Sequence, residues 1–132
     1  MLRLTVVTPQ RAFLEEECVN VTLPGLLGEM QVLEGHVPSL VELKTGMVSY
    51  ENQKREQIRF VIAHGFAEIE SGKVVILCEI ARHRAEVDKG SEQALQQNLI
   101  DQINRMANTE DDELKKLKAN LEISVASLNL LE

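Results

Sequence analysis

The sequence predicts an α+β protein: a β-sandwich or flattened barrel over the first two thirds, then two helices folded as an antiparallel hairpin. Three observations lead there. Up to about Arg84 apolar residues tend to alternate with polar ones, the period of a strand with one buried face. After Gly90 apolar residues recur every three or four positions, the period of an amphipathic helix. The last proline is Pro38, so none interrupts the second region.

The alternating sets are Leu2, Leu4 and Val6, then Val19, Val21 and Leu23, then Ile58, Phe60 and Ile62. Turn signals divide them: Thr8-Pro9, Pro24-Gly25, Gly35, Pro38, Thr45-Gly46, His64-Gly65 and Ser71-Gly72. Short strands with turns at this spacing suit a sandwich or flattened barrel. Ser71-Gly72-Lys73 joins Ala67–Ile69 to Val74–Leu77 as a hairpin, and the polar stretch Glu51–Gln57 joins Met47–Tyr50 to Ile58–Ile62 as another. The unbroken run Val74-Val75-Ile76-Leu77 suits a strand covered on both faces.

In the second region Leu95, Leu99, Ile103 and Met106 make one helical stripe. Leu114, Leu117, Leu121, Val125, Leu128 and Leu131 make another, close to a coiled-coil seam. The polar segment Asn108 to Asp112 separates them. Asn108 or Thr109 can cap the second helix, and acidic residues at its start suit the helix dipole. Asp88 or Ser91 can cap the first. Helices joined by a short polar loop fold back on each other. Resting on one side of a sandwich, such a hairpin buries little surface and is a candidate moving part.

Composition bounds the function. The 132 residues are 44% hydrophobic and 27% charged, enough for one domain or a small domain with an appendage. Aromatics are only 3%, so Leu, Ile, Val and Ala must build the core. A net charge of -7 disfavours nucleic acid and anionic membrane surfaces as partners. Cys18 and Cys78 are too few for a disulfide scaffold. They lie in apolar, strand-like runs, which fits buried thiols in a reducing compartment, although one bridge between them stays open. No run approaches the roughly 18 consecutive apolar residues of a membrane span. The N-terminus enters alternation directly, without a signal-peptide core, and a soluble cytoplasmic protein is expected.

No motif carries catalytic chemistry. His36, His64 and His83 have no metal-site spacing and no neighbouring cysteine. There is no nucleophile elbow, phosphate loop or dinucleotide fingerprint. The carboxylate runs Glu15-Glu16-Glu17 and Asp111-Asp112-Glu113 read as solvated charge. No catalytic residue, cofactor or metal is therefore expected. The informative stretch is Gly28 to Gly46, where Glu29, Glu34 and His36 stand among turns and short apolar pieces. Polar residues held in such a loop are candidates for partner contact. On the residues alone the simpler reading is a loop crossing the sandwich edge, with His36 satisfied by a backbone carbonyl.

In that stretch the order Gly28-Glu29, Gly35-His36-x-Pro38-x-Leu40 and Lys44-x-Gly46 resembles the epsilon subunits of bacterial and chloroplast ATP synthases. Leu4-x-Val6-Val7-Thr8-Pro9 resembles the family's opening strand and turn. Phe60–Gly65, Phe66–Ile69, Gly72 and Val74–Leu77 resemble its final hairpins. The likeness runs in order over essentially the whole chain. It implies a flattened β-sandwich of about ten strands over residues 1–86, docking on the gamma subunit and on the polar loops of the membrane-embedded c-ring. It implies a two-helix regulatory domain over residues 87–132.

The function so implied is a non-catalytic central-stalk subunit that couples gamma to the c-ring and inhibits ATP hydrolysis through its helices. Association with the membrane would be through the complex alone, at the cytoplasmic face of the inner (plasma) membrane, with a soluble cytoplasmic form when isolated. Glu29 and His36 match the loop residues that face the ring. Lys115, Lys116 and Lys118 match basic residues that meet the catalytic beta subunit when the helices extend along gamma towards the catalytic alpha and beta subunits. Glu113, Glu122 and Glu132 dilute that positive field.

Some members bind ATP through a motif of the form Ile/Leu-Asp-x-x-Arg-Ala. The matching residues here are Val87-Asp88-Lys89-Gly90-Ser91-Glu92, with Ser91 at the arginine position and Glu92 at the alanine position. A lost cation and an added carboxylate weaken phosphate binding, so little or no ATP sensing is expected. A nucleotide-sensing module of the same fold is the alternative function. Gln31 and Glu34 depart from the family's usual glycine and proline and put the loop's shape in question.

Overall fold

Residues 1–106 and 112–132 are described by a computed structural model of the chain. Seven strands come first: β1 (Leu2–Val7), β2 (Ala12–Gly25), β3 (Gly28–Leu33), β4 (Ser39–Leu43), β5 (Gly46–Asn52), β6 (Gln57–Glu70) and β7 (Lys73–His83). A single 3-10 turn, Arg84–Glu86, leads to α1 (Lys89–Arg105) and α2 (Asp112–Leu130).

The pairing explains why seven strands do the work of about ten. β2 pairs with β1 through its first half and with β3 through its second, while β5 lies along its other edge. β6 pairs first with β5 and then with β4, and β7 runs along its other edge. β1 and β7 pair in parallel, which closes the ring β1–β2–β5–β6–β7. Two layers result. One holds β3, the second half of β2, β5, the first half of β6 and the second half of β7. The other holds β4, the remaining halves of β6 and β7, β1 and the first half of β2. The long strands pass from layer to layer without losing their ladders, so the expected ten strands are seven continuous ones.

Each crossing re-phases the alternation. In β6 the inward residues are Phe60 and Ile62 before the bend and Ala67 and Ile69 after it. His64 at the bend has φ 27°, in the left-handed region. A side chain on Gly65 would begin 2.1 Å from the Leu77 carbonyl oxygen, so two backbones meet there as only glycine allows. In β2 the register shifts between Cys18 and Asn20, and the inward set passes from Cys18 to Val21 and Leu23. Val19, expected to join them, is 36% exposed because the bulge turns it outward. Val74 and Ile76 are buried, but Leu77 is 54% exposed, so the β7 run is not covered on both faces along its length.

Between the layers Leu2, Leu4, Val6, Tyr50, Phe60 and Ile76 belong to the core, each nearly or fully buried. Each such side chain contributes about 1.5–3 kcal/mol relative to exposure. Phe13 and Phe60 rings meet at 5.2 Å, and Tyr50 meets Phe60 edge-on at 6.2 Å. Cys18 and Cys78 are buried free thiols, and burial pushes both up to about 11. Ser71-Gly72 makes the predicted β6–β7 turn, with Gly72 at φ 71°.

The helices form the expected hairpin, and α2 packs across β5 and β6. Val61 and Ala63 face away from the inter-layer core yet are buried, on the side of β6 where α2 lies. The buried residues of α2 are Leu114, Ile123, Ser124, Ser127 and Leu130. Val125 of the expected stripe is exposed, and Leu117, Leu121, Leu128 and Leu131 are only half-buried. The stripe lies beside the true contact face. There two serines admit close approach, and α2 divides its surface between α1 and the sandwich. On α1 Leu99 is buried but Leu95 is exposed. Asp88 caps α1, accepting from the Ser91 N–H at 2.9 Å. The caps expected for α2, Asn108 or Thr109, lie outside the described residues.

The junction between sandwich and helices is clamped. Arg11 Nη2 donates to both Glu86 carboxylate oxygens, at 2.8 and 2.9 Å, and to the Ala81 carbonyl at 3.1 Å. Glu86 also accepts from the His83 N–H at 2.9 Å. The His83 ring stacks on Phe13 with centroids 3.9 Å apart.

Gly65→Ala forces a carbonyl aside at the β6 bend and should cost about 2 kcal/mol or more, read by denaturant unfolding. At the clamp, hydrogen bonds from Arg11, then the His83 N–H, hold the Glu86 carboxyl below the usual glutamate range. Its contribution to stability is present above that range and is lost as pH falls from there through the depressed value, a small effect because the pair is partly exposed. NMR titration should find Glu86 depressed in the natural chain and returned toward the ordinary value by Arg11→Ala.

Candidate functional site

Chemistry-bearing residues are scattered, and docking surfaces are not. Glu29 stands exposed near the start of β3, opposite Pro24 and beside a β2–β3 turn in which Leu27 is fully exposed. Gly28 enters the strand at φ 141° and Gly35 leaves the following turn at φ 87°, conformations that suit glycine. His36 donates its backbone N–H to the Leu33 carbonyl at 3.1 Å. Its ring Nδ1 lies 2.8 Å from the Val37 carbonyl oxygen. A carbonyl can only accept, so Nδ1 carries the proton in this geometry and a neutral ring keeps Nε2 as an acceptor. Glu34 pairs with the Met1 ammonium. Glu29 and the Leu33 anchor of His36 are four residues apart along β3, about 13 Å of strand. The two side chains are thus separate points along an edge strand, not one pocket.

The broader feature is apolar. On the outer face of the second layer, cross-strand register aligns Glu42 of β4, Phe66 of β6, Leu77 of β7 and Val7 of β1. Phe66 is 49% exposed and Leu77 54%, while Leu40, two residues along β4 on the same face, is 73% exposed. Isolated exposed apolar residues are ordinary, but Phe66 and Leu77, aligned across strands with Leu40 nearby, make a candidate contact surface. Sequence reasoning missed it, because an alternating pattern does not say which phase faces the core after a bend. The bend at His64-Gly65 turns Phe66 outward, and that dipeptide was the available signal.

On the helical side Asp88 and Ser91 are committed to capping. The Ser91 hydroxyl and N–H hold the Asp88 carboxyl below its usual range. Lys115, Lys116 and Lys118 are exposed in the first part of α2 and form no ion pair among the described residues. A polar cluster not foreseen lies beneath the hairpin. Arg82 Nη1 of β7 reaches the Glu92 carboxylate at 3.1 Å and the Ser127 hydroxyl at 3.2 Å.

Among the described residues no group of three or more metal-ligating side chains exists. None of their buried side-chain polar atoms lacks a hydrogen-bond partner, so no orphaned group is aimed at a ligand. Among the described residues no helix is long and apolar enough to cross a membrane.

Residues 1–84 match the family model of the ATP synthase delta/epsilon chain β-sandwich domain. The ATP synthase epsilon chain of Magnetococcus marinus is 32% identical over 129 residues, covering 98% of this chain and 93% of the relative. That of Chlorobaculum tepidum is 43% identical over 76 residues, 58% of this chain and 86% of the relative. A chain in the structure of the Euglena gracilis mitochondrial ATP synthase, OSCP/F1/c-ring, superimposes with a TM-score of 0.80 at 25% identity, covering 99% of this chain and 81% of that one. A chain of the Tetrahymena thermophila mitochondrial ATP synthase central stalk/c-ring shares the fold, with a TM-score of 0.63 at 14% identity. A β-sandwich followed by a helical hairpin, matched over nearly the whole chain by such relatives, settles the grouping: the chain belongs to the family of ATP synthase epsilon chains.

Proposed function

We propose that this chain is the non-catalytic coupling subunit of a rotary ATP synthase, joining the gamma rotor to the c-ring and restraining ATP hydrolysis through its helices. The reading stands on exposed Phe66 and Leu77, in register with half-buried Val7 and with exposed Leu40 nearby, on a sandwich with no group of three or more metal-ligating side chains among the described residues. Residues 1–86 serve as the docking domain and 87–132 as the regulatory one. The apolar row is the surface for gamma. Glu29 and His36, spaced along the β3 edge, touch the polar loops of the c-ring, a carboxylate and an imidazole acceptor being suited to polar or cationic groups. Lys115, Lys116 and Lys118 meet an acidic segment of the catalytic beta subunit once the hairpin extends towards the alpha and beta subunits. The protein then sits at the cytoplasmic face of the inner (plasma) membrane through the complex alone.

Nucleotide sensing is the weaker function. Asp88 is spent on a helix cap, Ser91 supplies its N–H to that cap, and Glu92 lies buried against Arg82. Titration calorimetry with millimolar ATP should register little or no heat of binding. Phe66→Ala and Leu77→Ala together should weaken capture of gamma by tenfold or more, each anchor being worth about 1 kcal/mol or above, with the far-ultraviolet spectrum unchanged. Assemblies made with and without residues 89–132 should differ in ATP hydrolysis, the truncated one being faster. Equal rates would remove the regulatory role and leave the coupling role standing.

A further inference from the structure

Among the described residues two that are not glycine stand in the left-handed region of backbone space, His64 and Arg55. His64 makes the β6 bend. Arg55, at φ 66°, sits at the tip of the β5–β6 hairpin. Buried Asn52 builds that tip. Its Oδ1 accepts from the Lys54 and Glu56 N–H groups, both at 2.9 Å. Its own N–H donates to the Glu56 carbonyl at 3.0 Å, and its carbonyl accepts from the Arg55 N–H at 3.1 Å. The turn is thus fixed in a conformation that glycine takes freely and a residue with a Cβ takes at a cost. For the fold alone glycine would serve better at position 55. The Arg55 side chain is exposed and forms no ion pair with another described residue.

The carboxylates around the tip are engaged elsewhere. Glu15 pairs with Arg3, and Glu16 accepts from the Tyr50 hydroxyl at 2.6 Å. Glu17 accepts from Gln53 Nε2 at 2.8 Å, and Glu56 accepts from Asn52 Nδ2 at 3.3 Å. Lys54 and Arg55 are left as adjacent, exposed cations without an ion pair among the described residues. The sheet register says where they point. β3 and β5 flank β2 and run in the same direction. Asn20 of β2 stands opposite Leu33 of β3 on one side and Glu51 of β5 on the other. The turn carrying His36 and the tip carrying Arg55 therefore leave the same end of the sandwich. Their strands end two strand spacings apart, about 10 Å.

We infer that Arg55, with Lys54, is a second contact point on the surface that His36 presents, and that it binds carboxylates on the polar loops of the c-ring. This rests on the c-ring reading of His36 given above. A guanidinium fork matches a carboxylate, whereas the imidazole acceptor beside it takes a donor, so the two points recognise different groups. A turn already fixed by Asn52 gives up little freedom when the pair forms. An anionic lipid surface fits less well. Glu17, Glu34 and Glu56 lie at the same end, and the chain carries a net charge of -7.

Capture of the full chain, bound to gamma, by detergent-solubilised c-ring tests it. Arg55→Gly should leave the denaturant midpoint of the isolated chain unchanged or raised. The same substitution should weaken capture about fivefold or more and flatten its dependence on salt. Arg55→Lys, which keeps the charge, should retain most of the capture, and adding Lys54→Ser to Arg55→Gly should weaken it further. His36→Ala, measured alongside, separates the two readings. Capture weakened by His36→Ala and untouched by Arg55→Gly overturns the role of the tip and leaves the His36 contact standing. Capture untouched by either overturns both. A fall in midpoint that matches the fall in capture overturns the inference by making Arg55 structural. So does an equal loss of binding to vesicles of anionic phospholipid that hold no c-ring.

Discussion

The parallel pairing of β1 with β7 is the contact on which the molecule rests. It joins the two ends of the strand order and turns what would be an open sheet into a closed ring around one core. Closure leaves few ladder edges unpaired and fixes the register of every neighbour, since a slip by one residue would turn Leu2, Leu4 and Val6 out of the core. With little aromatic mass available, the core depends on many aliphatic side chains being completely covered. Only two layers pressed face to face can do that in a chain of this size.

Closing a ring from few strands requires some of them to bend. β2, β6 and β7 each serve both layers, and the devices at the bends are local: a bulge after Cys18, a left-handed His64 and a glycine against the backbone of β7. The bend then decides what the outside offers. By changing phase at His64-Gly65, β6 keeps Ala67 and Ile69 inside and places Phe66 outside, level with Leu77 and Val7. The exposed row is thus a consequence of how the barrel closes.

The helical hairpin is attached by a mixed contact. The sandwich is held by apolar burial, whereas the hairpin combines buried Ile123 and Leu130 with two buried serines and the partly exposed Arg82–Glu92 pair. Polar partners placed among apolar ones make such a contact specific in position.

Local pattern alone was enough for the α+β class, the helical region after Gly90, the hairpin turn at Ser71-Gly72 and the epsilon-family likeness. These rest on periodicity, turn chemistry and motif order, all written along the chain. The same pattern narrowed the α1 cap to two residues, of which the fold chose Asp88. Tertiary structure decided the rest. Val19 and Phe66 lie in alternating segments, and only the bulge and the bend say that they face out. The leucine-rich stripe of α2 could not be told from its true contact face, where Val125 is exposed and Ser127 buried, because periodicity fixes a helix's shape and not its rotation against a neighbour. The Arg82–Glu92–Ser127 cluster was invisible for the same reason: its members are ordinary polar residues until packing removes water from around them, and burial is a property of the assembled fold.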